Sequence, residues 1–169
     1  MPLRDHLVAL TAGIALLCGG PAGAEDAPAV FARLKVGLAG SWKLPSPKSP
    51  REEAFRISFK EISRGSALVE TFGDPAGSVT ETIYHLDGAR LLATHYCAQG
   101  NQPRLRLVRD DPRTGVEFAF HDATNLANEK ASHLVRMRIR LDGDRLEKDE
   151  IYVANGKEDV TTLALVRVR

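Results

Sequence analysis

His133-Leu134-Val135-Arg136-Met137-Arg138-Ile139-Arg140-Leu141-Asp142-Gly143-Asp144-Arg145-Leu146-Glu147-Lys148-Asp149-Glu150-Ile151-Tyr152-Val153 is two alternating runs about an Asp-Gly pair. His133, Val135, Met137, Ile139 and Leu141 alternate with Arg136, Arg138 and Arg140, a period of two that belongs to extended chain with one face buried. An Asp-Gly between such runs is a strong hairpin signal. With Asp142-Gly143 as the turn, Leu141 faces Asp144, Arg138 faces Glu147 and Arg136 faces Asp149. The arginines then sit in an outward face of cross-strand charge pairs and do not form an anion-binding ribbon. Each such exposed pair adds only about 0.2–1 kcal/mol. The same register turns Lys148 and Glu150 inward beside Met137 and Val135, and sets His133 across from Tyr152. A polar pair on an apolar face calls for a bulge, a wide mouth or a wet cavity.

The pattern extends outward in both directions. Phe55, Ile57 and Phe59 alternate with Arg56, Ser58 and Lys60; Ser63 to Ser66 turns, and Ala67 to Phe72 is the next strand. Gly73 to Gly77 turns again. Val79 to Leu86 and Ala89 to Cys97 flank Asp87-Gly88. Leu105 and Leu107 alternate with arginines, and Asp110 to Gly115 turns into Val116, Phe118 and Phe120. His121 to Ser132 reads as a polar loop. Asn155-Gly156 separates Leu146–Val153 from a last strand, Val160 to Val168. Ahead of these, Val30, Phe31, Leu34 and Leu38 have helical spacing, which predicts a short helix from Pro28 to Leu38 before a strand at Ser41–Leu44. Pro45, Pro47 and Pro50 make the next segment a loop. The sum is all-β: nine or ten antiparallel strands in a meander, closed as a barrel or stacked as a sandwich, with one short N-terminal helix.

The chain of 169 residues is 43% hydrophobic and 27% charged, with 23 basic against 22 acidic side chains and a formal charge of +1. That composition suits a globular domain and excludes low-complexity or collagen-like chains. A balanced charge argues against a dedicated nucleic-acid binder. Met1 to Ala24 reads as a signal peptide: Arg4 starts it, Leu7 to Leu17 is its apolar run, and Ala22-Gly23-Ala24 offers a small-x-small cleavage site. The alternatives are an uncleaved anchor, or lipidation at Cys18, against which Leu17 stands where a small residue belongs. The expected organisation is therefore a leader over residues 1–24 and a single barrel domain over 25–169, secreted or periplasmic. No membrane span is left once the leader is removed, and no oligomeric state is implied. Cys97 is then the one remaining cysteine, so an internal disulfide is excluded and stability rests on a hydrophobic core.

Gly40-Ser41-Trp42, after a short helix and opening the first strand, resembles the Gly-x-Trp start of calycin and lipocalin-like barrels. In that superfamily the tryptophan closes the barrel base and an arginine from a late strand packs on it, a part the resemblance gives to Arg167. A longer stretch, Thr94-His95-Tyr96-Cys97-Ala98-Gln99-Gly100-Asn101-Gln102-Pro103-Arg104, is more specific. With Tyr84-His85-Leu86-Asp87-Gly88, Phe118-x-Phe120 and Thr124-Asn125-Leu126, it resembles a family of secreted bacterial proteins to which no activity or ligand is assigned. The resemblance covers Trp42 to Gly156 and implies an antiparallel up-and-down calycin-like barrel.

His95 and Cys97 share one face of a strand, followed by a polar bend through Asn101, Gln102 and Arg104. Polar residues crowded at a strand end mark a barrel mouth, where small ligands bind, or a tight structural turn. A half-buried Cys with a hydrogen-bonded His competes with three functional readings. A metal site would need His85, His121 or His133 to converge on the pair. A nucleophilic thiol would use His95 as base and Asn101 as orienter, and needs a depressed Cys97 pKa. A polar patch would orient a bound molecule. Asp122 and Asn125 are expected to cap a turn or short helical segment.

The leading expectation is a barrel binding a small, largely apolar or amphipathic molecule. Its lining would draw on His95, Cys97, Asn101, Gln102, Arg104, Tyr84, Phe118, Phe120 and His133, with Phe55, Ile57, Phe59 and Val116 also inward. It assigns no catalytic residue, no metal and no cofactor. The alternatives are a thiol- or metal-dependent enzyme centred on Cys97 and His95, and a non-catalytic structural or interaction domain of the cell envelope.

Overall fold

A computed structural model describes residues 26–74 and 77–169; the leader expected over residues 1–24 lies outside the described residues. The elements run α1 (Ala27–Leu38), β1 (Gly40–Lys43), α2 (Pro50–Ala54), β2 (Arg56–Ile62), β3 (Ala67–Asp74), β4 (Gly77–Asp87), β5 (Arg90–Tyr96), β6 (Gln102–Asp111), β7 (Gly115–Thr124), β8 (His133–Asp142), β9 (Arg145–Ala154) and β10 (Lys157–Arg167). Each strand pairs antiparallel with its neighbour in sequence. The ring closes because Trp42 of β1 pairs both Ile57 of β2 and Arg167 of β10. The result is a ten-stranded up-and-down barrel, compatible with a calycin-like fold. No described helix is long and apolar enough to cross a membrane.

The helix closes one end. Asp26 caps it, accepting from the Ala29 amide at 3.2 Å, and Pro28 suits its first turn. Val30, Phe31, Leu34 and Leu38 turn one stripe into the barrel core, while Val36 on the opposite side is exposed. At the junction Trp42 is fully buried and its indole Nε1 donates to the Leu38 carbonyl at 2.8 Å. Gly40, at φ +105°, turns the chain from helix to strand where an L side chain would be strained.

Arg167 fills the role that the resemblance gave it. Its guanidinium lies 4.3 Å from the Trp42 ring centroid and donates to the carbonyls of Ala39 at 2.6 Å and Gly37 at 2.8 Å, and to Asp144 Oδ1 at 3.1 Å. One planar fork thus ties the last helical turn, the ring closure and the β8–β9 turn together. Arg167→Ala is expected to lower stability by roughly 2 kcal/mol, the scale of a cation–π contact plus charged hydrogen bonds. Arg167→Lys should recover less than half of that loss. Urea midpoints measure both, and a loss below about 0.5 kcal/mol for the alanine variant would mean that the fork is ornamental.

Two hairpins depart from the expected register by two residues. β8 and β9 pair Asp142 with Arg145, so the central turn residues are Gly143 and Asp144; β4 and β5 pair Asp87 with Arg90 around Gly88 and Ala89. In each turn only the glycine has positive φ, +58° at Gly143 and +60° at Gly88, as in a turn with Gly at its first central position. Asn155-Gly156, positive at both residues, does occupy the centre of its turn. The corrected partners are Arg138 with Asp149, Arg140 with Glu147, Ile139 with Lys148 and Met137 with Glu150. The arginine stripe is ion-paired on the outward face as expected: Arg138 Nε donates to Asp149 at 2.8 Å, Arg140 to Glu147 at 2.7 Å, and Arg136 lies 3.5 Å from Glu117.

A bulge between Leu134 and Arg136 takes Val135 out of the ladder and buries Leu134 instead, pairing His133 with Val153 and not with Tyr152. β7 runs on to Thr124 where a loop from His121 was expected. Pairing continues past Phe120 through a bulge, with Asp122 opposite Arg104 and Thr124 opposite Gln102. The proline-rich segment contains α2, capped by Ser49 accepting from Glu52 N at 3.2 Å.

Candidate functional site

Because the strands alternate in direction, the turns after β2, β4, β6 and β8 gather at the α1 end. The Cys97–Asn101 bend and the Asn125–Ser132 loop gather at the other end. The two ends differ in burial. Toward α1 the inward side chains are sealed: Trp42, Ile57, Leu68, Leu91, Phe118, Ile139 and Leu146 are essentially without solvent contact. Toward the other end, Phe55, Phe72, Phe120, Tyr152 and Leu163 also belong to inward rows, yet they are only half-buried. A hollow of about 190 Å³ lies there between Leu44, Arg51, Glu52, Phe55 and Leu163. Two other hollows, of about 640 and 470 Å³, run along the outside near α1 and the β8–β9 hairpin; His95 borders none of the three.

Between the sealed and the open ends the barrel interior is polar. Lys148 on β9 is fully buried and donates to Glu70 on β3 and to Glu150 Oε1 at 2.5 Å. Tyr84 on β4 donates to the other oxygen of Glu70 at 2.6 Å and touches the Met137 sulfur at 3.4 Å. Phe118 packs edge-on against the Tyr84 ring at 5.7 Å. Nearer the open end, His95 on β5 is buried between Thr82 Oγ1, 2.9 Å from Nδ1, and Tyr152 Oη, 3.0 Å from Nε2. Tyr152 also lies within electrostatic reach of Glu150 and Cys97. Each imidazole nitrogen thus has a hydroxyl partner, one ring nitrogen donating and the other accepting.

The electrostatics hold these groups in single states. For Lys148, burial alone would lower the pKa, but the two carboxylates outweigh it and hold the ammonium above its usual range. For Glu150, burial alone would raise it, and Lys148 outweighs burial to hold the carboxyl below its usual range. Burial, then the Glu70 charge, pushes Tyr84 up; burial, then Glu150, pushes Tyr152 up. Burial lowers His95 to about 4, against an opposing pull from Glu150. Burial also pushes the Cys97 thiol up, opposite to the direction a nucleophile needs. The displaced groups all move away from neutrality, so the array offers fixed charges and dipoles and no acid–base pair poised near pH 7.

The nine residues expected at the site divide. His95, Tyr84 and Phe118 lie inside the barrel, and Cys97 and Asn101 are buried at its open end. Phe120 and His133 stack edge-on there at 5.0 Å, with His133 Nδ1 donating to the Ala131 carbonyl at 2.7 Å. Gln102 serves the rim: its Nε2 donates to the Gly100 carbonyl at 3.0 Å and its Oε1 accepts from Thr124 at 2.7 Å. Arg104 points outward to grip Asp122 and lies outside the group, because its even position on β6 puts it opposite Pro103 and Leu105. Asp122 and Asn125 were expected to cap a turn or short helical segment, but Asp122 lies within β7 and holds Arg104, and Asn125 Nδ2 donates to the Gly100 carbonyl at 2.6 Å, binding the two end loops to each other. Glu70 and Thr82 were not foreseen. Glu70 had a visible signal, a lone acid between Leu68 and Phe72 on the inward row of β3.

Among the described residues, no three His, Cys, Asp or Glu side chains are placed to hold a metal ion. No protein-family model matches the chain, and no curated protein matches it.

Proposed function

We propose that this chain is a secreted or periplasmic small-molecule-binding barrel whose ligand, amphipathic with a largely apolar body, enters at the end opposite α1. One observation carries the reading: Phe55, Phe72, Phe120, Tyr152 and Leu163 point inward but stay half-buried at that end, whereas the α1 end is sealed. Inward apolar side chains that water still reaches are surface waiting for an apolar occupant. Beneath them Tyr152, His95 and Glu150 supply a few convergent polar groups that would orient it. The array favours recognition over turnover, since its displaced groups titrate far from neutrality. The leader-like N-terminus supports the location, and the Gly40-x-Trp42 start with the Trp42–Arg167 stack supports the calycin-like reading.

Native mass spectrometry of the protein purified from its own host should find a small molecule held one to one. Independently, the neutral apolar fluorophore N-phenyl-1-naphthylamine should bind saturably. Leu163→Arg at the open end should weaken that uptake about tenfold or more, while Val108→Arg, on the exposed outer face, leaves it in place. A protein that carries nothing and takes up no fluorophore is a filled plug, and this reading is then wrong.

A further inference from the structure

We propose that the ligand of the open end is an organic cation, a protonated amine on an apolar body, with its N–H groups received by Glu150 and Asn101. The inference rests on the binding reading above and deepens it. Its first ground is charge. Glu70 and Glu150 face a single buried cation, Lys148, and His95 beside them is a neutral ring, so two carboxyl groups share one ammonium inside the barrel. Buried charge of one sign is costly unless a partner arrives.

The second ground is independent and concerns hydrogen-bond donors. Asn101 is 5% exposed and lies just ahead of β6, in line with its inward Pro103 and Leu105. Its Nδ2 donates to the Ser132 carbonyl at 2.8 Å, which fixes the amide orientation, and its Oδ1 is a buried acceptor with no partner. His133 commits its Nδ1 proton to the Ala131 carbonyl. The Tyr84 hydroxyl goes to Glu70, and two of the three Lys148 N–H groups go to the carboxylates. Asn101 Oδ1 thus lacks a donor, and an ammonium brings three donors and no acceptor.

Access and shape agree. Of the three ion-paired residues, Glu150 alone keeps solvent contact, its side chain 11% exposed against 0% for Lys148 and 1% for Glu70. The half-buried rings of Phe55 and Phe72 pack edge-on at 5.2 Å, and the Phe72 ring already lies 5.8 Å from the Lys148 ammonium. Aromatic faces of this kind accept a cation and an alkyl chain alike.

The test is calorimetric titration of the full chain at neutral pH with three probes of equal chain length: hexylamine, hexanol and hexanoate. Hexylammonium should bind about tenfold or more tighter than hexanol, and hexanoate more weakly than either. Glu150→Gln should bring the amine-to-alcohol ratio close to one; Asn101→Leu should lower the ratio without altering the Lys148 ion pairs. If hexanol or hexanoate binds the parent protein as well as hexylamine does, the cation assignment is overturned and the binding reading survives. If none of the three binds, both fall.

Discussion

Lys148→Met is expected to lower the unfolding free energy by about 3–5 kcal/mol, the cost of stranding buried charge by removing its partner. The side chains are of similar length, so packing is nearly conserved and the effect isolates the ammonium. Without it, Glu70 and Glu150 are two carboxylates that had shared one nitrogen, now facing each other inside the barrel. At least one must bind a proton to remain folded, which raises its folded pKa above the unfolded value. Stability contributed in that way is present at low pH and is lost as pH rises. The variant should therefore regain stability on acidification from pH 7 toward 5, the reverse of the parent. Neutralising the whole set offers a sharper contrast: Glu70→Gln with Lys148→Met and Glu150→Gln leaves no charge to strand, and should return to within about 2 kcal/mol of the parent. Urea unfolding of the three proteins at pH 7 and 5 provides the measurement. A single variant that loses less than about 1 kcal/mol would mean that water already solvates the triad.

These ionic partners explain how far the sequence could be read. Period-two alternation exposes strand faces directly, so His95, Lys148 and Glu150 were assigned inward from the chain alone. The partners in the Asp87-Gly88 and Asp142-Gly143 hairpins are displaced by two positions, yet the faces stay right as far as the Leu134–Arg136 bulge, because a register shift of two preserves the pleat. The difference lies in turn chemistry: the sequence pattern points to Asp-Gly as the central pair, whereas Gly143-Asp144 and Gly88-Ala89 place glycine first. A shift of one would have turned every side chain over. The site's composition was hidden for another reason. Glu70 and Lys148 are 78 positions apart and meet across the barrel interior, so nothing local to either announces the contact. Arg104 was misplaced because its neighbours in sequence, Asn101 and Gln102, belong to the rim, while its own parity points it at Asp122 on the outer face.

The parent protein should lose roughly 3 kcal/mol of stability between pH 6.5 and 4, and His95 should account for it. An imidazole free in the unfolded chain takes up its proton near pH 6.5. In the barrel, burial lowers that value to about 4. Between these two pH values the unfolded chain binds a proton that the folded one refuses, so unfolding gains as pH falls. The lowering from about 6.5 to about 4, at about 1.36 kcal/mol per tenfold change in proton affinity, gives the figure. The contribution is whole above pH 6.5 and exhausted below 4. Glu150 acts in a lower window, since its depressed carboxyl withholds stability only once the unfolded carboxyl begins to protonate, near pH 4.3. On the alkaline side the signs reverse: the raised Tyr84, Tyr152 and Lys148 values keep their contributions below about pH 10 and lose them above it. His95→Gln can still bridge Thr82 and Tyr152 and has no proton to gain, so its profile should be nearly level from pH 6.5 to 4.5. Denaturant midpoints across that range compare the two proteins. Parallel profiles would place the acid sensitivity elsewhere and leave His95 with no thermodynamic link to the polar core.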